Sequence, residues 1–453
     1  MAEGVCPPAA DNVAVRSAQQ DARKARRHRR EFLIMSIAFA VNHAAVTTPI
    51  LYASSVLTST AGLSGNAVLY GATLVVSLLF ANPLFSLLGS NIGLSVSMVC
   101  YAAYVFLFSV AAAACVQTDA HGVCTEGSLV QFPAAIVGAT IGGCGAGLLW
   151  TCQGAIFASS AQRLAEAEHK GMGATTAELA KTFGAIFLGF EAGVRLLTTV
   201  LREYAKLSYS DIFYMYSSLA LLSALAFMAT ATNLQSGAAV LNAELFSKIL
   251  AAGKLWRDPK FWLLQFTNIT FGLAAAWLAG YVGENILSKA VSSGVIGFAS
   301  ALTSALAAVL CQVLGTVSQT TGKGPILMLG AVCFALLGAL SKVGDPTEWG
   351  WGALVFYACM GVGRAVYEST NRAIFAEYFP GPDRSPGVFA NVMVFTTGAT
   401  SVAFVLDATG RAGVELHLLL LCAALTSPGF LLAAVLARRG EAQELLAADG
   451  IPP

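Results

Sequence analysis

Charge is what this 453-residue chain has least of: 11% of its residues are Asp, Glu, Lys or Arg, while 56% are hydrophobic. A soluble domain carries about 25% charged residues, so most of the chain must lie in lipid. The net charge of +1, with no basic groove and no basic patch interleaved with aromatics, excludes nucleic acid as a partner. CxxC pairs and HExxH are missing, so no structural metal and no cofactor is expected. Nor does any nucleophile stand with a base, which argues against an enzyme. Phosphate-binding loops are absent too. Gly138/Gly142 and Gly143/Gly147 follow no strand, and Thr321–Pro325 lacks the required spacing. The glycine pairs read instead as small-xxx-small contacts between lipid-embedded helices. Seven of the ten cysteines (Cys100, Cys144, Cys152, Cys311, Cys333, Cys359, Cys422) fall in apolar runs, where a thiol acts as a small hydrophobe. Only Cys115 and Cys124 bracket a polar loop; a short disulfide there is compatible with the spacing, and the spacing leaves it open.

What the chain does have is apolar runs of membrane length. A bilayer takes about 20 such residues per helix, and this ruler finds spans near 32–57, 67–89, 92–115, 131–158, 182–201 and 212–232. A second set follows near 261–283, 293–317, 324–343, 351–377, 386–408 and 413–437. The expected class is an all-α polytopic membrane protein with twelve transmembrane helices in two six-helix halves. Its parts are a basic arm (1–31), a first bundle (32–232), a connector (233–260), a second bundle (261–437) and a tail (438–453). The least distinct boundary is Gly89-Ser-Asn-Ile, between spans two and three.

Lys and Arg set the orientation. With the N-terminus inside, eighteen fall on cytosolic segments and five (Arg202, Lys206, Lys289, Lys342, Arg411) outside. Both termini are then cytosolic. The basic run Arg16–Arg30 reads as an arm held near anionic lipid. The alternative, a targeting peptide, fits poorly with so long a following apolar run. In the connector, Leu241, Leu245, Ile249, Ala252 and Leu255 share one stripe. The segment is either an amphipathic helix on the inner leaflet or a solvated helical linker. The N-x-S/T triplet at Asn268 lies inside span seven, out of reach of glycosylation. In the tail, Glu441, Leu445 and Leu446 fit an acidic dileucine sorting pattern. An endolysosomal or vacuolar membrane is therefore expected alongside the plasma membrane.

Span ten breaks the apolar rule. Met360–Phe379 carries Arg364, Glu368 and Arg372 at i, i+4, i+8, on one helical face. Each ionisable residue costs about 2.5–3.5 kcal/mol at mid-bilayer on insertion scales, so such residues face a bundle interior or a water-filled path. The stretch has an upstream echo: Gly145-Ala-Gly-Leu-Leu-Trp150 and Ala155–Ala158 match Gly361–Tyr367 and Ala373–Ala376. A repeat half a chain apart is the mark of a two-halved transporter.

Twelve spans in two halves resemble the major facilitator superfamily. Within it, Gly145–Gly154 resembles the span-four signature of the Unc-93-like family, a glycine pair leading to Leu-Leu-Trp-x-x-Gln-Gly. Gly184–Phe190 resembles its Gly-Ile-Phe-Phe block, and Pro83 with Leu88-Gly89 its loop after span two. Trp277–Tyr281, Val366-Tyr367, Phe379-Pro380 and Phe389-Ala-Asn391 resemble its later blocks in the right order. The sequence departs from the family at Arg364, where an acidic residue is common, and at Glu191 and Glu368, where Gln is common. The resemblance implies the major facilitator fold and a role in transporting an ion or small solute, or in regulating ion (potassium) transport. It also implies a channel or receptor subunit as a partner, besides the lipid bilayer.

The cavity candidates are then weighed as follows. Glu191 and Arg195 can pair within span five, and Arg364 with Glu368 within span ten, Arg372 lying nearer the inner surface. Asn371 and Tyr367 flank that face. The set reads either as a polar cavity whose ion pairs re-form as access alternates, or as self-neutralised faces that fix packing. Trp150 and Gln153 join by analogy with the repeat. Asn42 and His43, mid-helix in span one, serve as cavity groups or as hydrogen-bonded packing. Asp407 and Arg411 are expected to snorkel and pair. Two functions of different class follow: a secondary carrier, or a non-transporting scaffold that escorts or regulates a membrane partner.

Overall fold

The computed structural model of the protein describes residues 9–231, 255–379 and 385–448. Its first half contains α1 (Ala9–Val56), α2 (Ser59–Val75), α3 (Ala81–Ala113), α4 (Gln131–Glu168), α5 (Met172–Glu203) and α6 (Tyr209–Ala231). The second contains α7 (Pro259–Trp277), α8 (Ile296–Thr321), α9 (Lys323–Leu340), α10 (Leu354–Val366), α11 (Ser385–Ala408) and α12 (Ala412–Ala448). Among the described residues, eleven helices are long and apolar enough to cross a membrane. The span that falls short is the tenth, where α10 runs through a π turn (Tyr367–Asn371) into a short helix (Arg372–Tyr378). Its polarity, the feature that marks it in the sequence, is what disqualifies it as a plain apolar span.

Boundaries differ from the sequence reading where packing extends a helix past its apolar run. The basic arm is no separate element. From Ala9 it forms the first turns of α1, and Arg29 forks onto Glu168 at 2.8 and 3.1 Å and reaches Glu178 at 2.7 Å. Lys170 bonds Glu168 as well, at 2.8 Å, and that bond holds the lysine above its ordinary range. Arg29 is thus held by carboxylates of α4 and α5, and Arg27 by Glu31 of its own helix at 2.8 Å, while Arg23, Arg26 and Arg30 are exposed. Span two begins at Ser59 rather than 67, its start fixed by Thr58, whose backbone N–H and hydroxyl both donate to Gln131 Oε1. Gly89, at φ +71°, makes the kink between spans two and three, a backbone conformation that glycine adopts without strain. Most of the connector, residues 232–254, lies outside the described residues, and so does its amphipathic stripe apart from Leu255. Glu441, Leu445 and Leu446 continue α12; their side chains are outside the described ones.

Two ends of the molecule can be told apart. One bears the arm and the 168–171 turn. The other bears a β-hairpin, β1 (Cys115–Thr118) with β2 (Cys124–Gly127), closed by a Cys115–Cys124 disulfide. Both glycine motifs are helix crossings, as expected. A Cβ on Gly138, Gly142 or Gly145 would meet α3 within 2.7–2.9 Å, and one on Gly143 or Gly147 would meet α2 and the turn after it within 2.4–2.8 Å. The equivalent pair in α10, Gly361 and Gly363, is pressed on Leu306 and Phe334. The two echoing segments therefore do the same packing work in each half.

The halves meet along α2 with α11 and α5 with α8. The second contact narrows toward the disulfide end. A Cβ on Gly297 would lie 2.2 Å from the Arg195 carbonyl oxygen, and Thr199 donates to Gly294 O at 2.9 Å. Seven residues before Glu191 and on its face, a Cβ on Gly184 would have nothing within 4 Å among the described residues; nor would one on Gly315, eleven residues past Ser304 on the same face of α8. The pair of helices forms a V, closed at the disulfide end and open toward the arm.

Candidate functional site

At the last close contact before the V opens stands Glu191, 2% exposed. Arg364, from the other half, donates to it through Nη1 and Nη2, at 2.6 and 3.0 Å. Arg195, one turn further along α5, approaches the same carboxylate at 2.7 Å. Ser304 of α8 donates to Glu191 Oε1 at 2.9 Å and accepts from Arg195 Nη1 at 2.7 Å. Low local dielectric makes such charge-assisted bonds strong, and the bidentate fork fixes their geometry.

The expected Glu191–Arg195 pair thus forms, but the expected Arg364–Glu368 pair does not. Arg364 turns across the interface to Glu191, and Glu368 pairs with Arg372 at 2.6 Å. A buried carboxylate offering two oxygens outcompetes the neighbour four residues along its own helix. Exposure follows the same division: the Arg364 side chain is 14% exposed and that of Arg372 51%.

Tyr367 and Asn371 belong to a second polar string. The Tyr367 ring stacks on Phe271 with centroids 3.8 Å apart, and its hydroxyl meets Thr396 Oγ1 at 2.9 Å. Asn371 donates to Asn268 at 2.8 Å, and Asn268 to Gln265 at 2.7 Å. Asn268 is wholly buried. These bonds join α7 to the π turn, a local widening of the helix that recurs at functional sites. Sequence reasoning passed over Gln265 and Asn268, although two amides three residues apart in an apolar span are a readable signal. Ser304 left no such signal, since membrane serines are common and most bond their own helix.

On the first-half side, His43 and Trp150 lie in an aromatic wall with Phe39, Phe183 and Phe187, centroids 5.1–6.3 Å apart. Phe187 is one turn before Glu191. Gln153 is buried on α4. The Asn42 amide nitrogen donates to Met98 O at 3.2 Å and Ala220 O at 2.9 Å, tying α1 to α3 and α6, while its buried Oδ1 has no partner among the described residues. Asp407 and Arg411 form no ion pair among the described residues. Instead the Asp407 carboxylate sits over Gly280, where a Cβ would be 2.7 Å away. No group of three or more His, Cys, Asp or Glu is placed to hold a metal ion among the described residues.

No protein-family profile matches the chain. Two curated relatives do: protein unc-93 homolog A of Mus musculus, 24% identical over 187 residues, and that of Homo sapiens, 27% identical over 177. The matches cover 41% and 39% of this chain and 40% and 38% of those proteins. The chain therefore spans about two fifths of the length of the curated relatives it matches. Among solved structures, the nucleoside transporter NupG superposes with a TM-score of 0.63 at 13% identity, covering 89% of this chain and 99% of that one. The peptide transporter POT gives 0.63 at 12% identity over 90% and 94% of the two chains. The xylose transporter XylE from E. coli gives 0.56 at 13% over 88% and 94%. At such identities the likeness is one of fold, and it spans both halves. The chain therefore has the major facilitator fold and is similar, over part of its length, to the unc-93 homolog A proteins.

Proposed function

We propose that the protein is a secondary carrier that moves a small solute or ion by rocking its two halves about the Arg364–Glu191 bridge. One observation carries this reading: the fork joins the halves at the point where the α5–α8 contact stops and the V opens toward the arm. To close the arm end and open the disulfide end, the fork must tilt or break. A bound solute can drive that change only by interacting differently with the two arrangements, and a charged bridge at the vertex supplies such a difference. The disulfide end is held by close packing at Gly297 and by hydrogen bonds between the halves, without an inter-half ion pair among the described residues. These bonds include Ser59 Oγ to Glu284 and Thr199 Oγ1 to Gly294 O, each at 2.9 Å, and Ser55 Oγ to Ser288 Oγ at 3.4 Å. The basic arm supports a cytosolic arm end, and hence an inward-open arrangement.

The test needs no known substrate. Spin labels at Lys206→Cys and Val343→Cys, on the disulfide ends of the two halves, are expected to report a short and a long distance. Adding Ser55→Cys with Ser288→Cys, to cross-link that end, should leave only the short one. A single distance with or without the cross-link would mean a fixed scaffold and sink the carrier reading.

A further inference from the structure

The charges at the vertex do not balance. Glu191 is shared by two guanidinium groups, Arg195 and Arg364. The nearest other carboxylate on the stripe, Glu368, is taken by Arg372. One positive charge is left over in a buried setting, where an uncompensated charge is costly. Donor capacity is left over too. Among the described residues, Arg195, 7% exposed, has its Nε–H without a partner, and the Ser300 hydroxyl is likewise unbonded. Arg195 also touches the Ser300 carbonyl, at 3.4 Å. The same surplus disfavours a bare cation such as potassium at this point.

Beside the charges lies the aromatic wall. Phe183 and Phe187 are half-buried and stacked, 5.8 Å between centroids, and Trp150 meets Phe187 at 6.3 Å. His43, within the wall, is within electrostatic reach of Glu191, Arg195 and Arg364. Its Nδ1 has no partner among the described residues. A fork that already grips a carboxylate in bidentate fashion, with an apolar face one helical turn away, has the chemistry to grip another.

We infer that the site binds an organic monocarboxylate, its carboxylate taking the place of Glu191 on the Arg364 fork and its apolar body resting on the aromatic wall. The inference deepens the proposed carrier reading and rests on it for how solute reaches the site. Displaced from Arg364, Glu191 keeps Arg195, so both guanidinium groups retain a counter-charge and the surplus is neutralised. Arginine suits this role better than lysine because its planar fork matches a carboxylate.

The experiment uses the purified full chain in detergent, with benzoate and hexanoate as probes. Benzamide and benzylammonium are the uncharged and cationic controls. Thermal unfolding and equilibrium binding of radiolabelled benzoate are read together. Saturable stabilisation by at least one carboxylate, and by neither control, is expected. Arg364→Lys should weaken binding about tenfold or more, since it keeps the charge and loses the fork. Glu191→Gln removes the internal competitor, so it should melt lower than the parent and gain more from benzoate than the parent does. No saturable binding of either carboxylate, equal binding of benzylammonium, or weaker benzoate binding by Glu191→Gln would each overturn the inference. If Glu191→Gln cannot be purified, the probe panel on the parent chain and Arg364→Lys still decide. Two spin-label distances with no carboxylate binding would leave the carrier reading standing and remove this one.

Discussion

Glu191 is the residue on which the two halves converge, and its neighbours predict how unequal Glu191 and Glu368 should be. Removing one partner of a buried pair typically costs about 3–5 kcal/mol because it strands the other. Glu191→Gln strands two arginines, so a loss in that range is expected. Glu368→Gln breaks a pair whose arginine is half-exposed, and exposed pairs are worth about 0–1 kcal/mol. Denaturant or thermal unfolding of the two variants in one detergent checks the contrast; equal losses would mean that burial does not set the scale here. Spacing along the sequence picks out all these residues and pairs Glu191 with Arg195. It cannot pair Arg364 with a residue 173 positions away, because helical periodicity relates side chains only within their own helix.

Among the elements, α5 and α8 matter most, and glycine reports how tightly each stretch of them is packed. At Gly297 an added methyl group would meet the Arg195 carbonyl, the Tyr52 hydroxyl at 2.6 Å and Thr199 Oγ1 at 2.8 Å. Overpacking of this kind costs about 1–3 kcal/mol, and moving the helices apart at the disulfide end relieves it. Gly297→Ala is therefore expected to raise the population of the long distance between labels at Lys206 and Val343. Gly184→Ala, with nothing within 4 Å, should leave the distribution as it was. A shift from Gly184→Ala equal to that from Gly297→Ala would contradict the V-shaped contact. The tenth span makes a related point. Its charged stripe is legible in the sequence, but the π turn at Tyr367–Asn371 is not, because the interhelical bonds from Asn371 to Asn268 and from Tyr367 to Thr396 hold it.

For the molecule as a whole, we propose a cytosolic arm end, a reading that two independent features support. The arm end carries the basic run and the Arg29–Glu168–Glu178 cluster. The opposite end carries the disulfide, and disulfides persist on the oxidising, non-cytosolic side of membranes. With Ser128→Cys on the disulfide face and Gln162→Cys on the arm side of α4, an impermeant maleimide added to sealed cells should label only the first. If the reagent labels Gln162→Cys and spares Ser128→Cys, the orientation is reversed.

The sequence by itself determined the solvent in which this chain folds, the two-halved plan and the identity of its rare charged residues. Those properties follow from composition and from periodicity along one chain: a 56% hydrophobic chain must sit in lipid, and a face of a helix is set by 3.6 residues per turn. Only the tertiary structure decided which charges neutralise one another. Arg364 faces two carboxylates of similar strength, Glu368 on its own helix and Glu191 in the other half, and burial and bidentate geometry settle the choice. The open and closed ends were likewise beyond sequence reading, since they depend on how far two helices separate along their length. That separation is set by contacts such as the Glu203 side chain against Gly294 and the Arg195 backbone carbonyl against Gly297, between residues about a hundred positions apart.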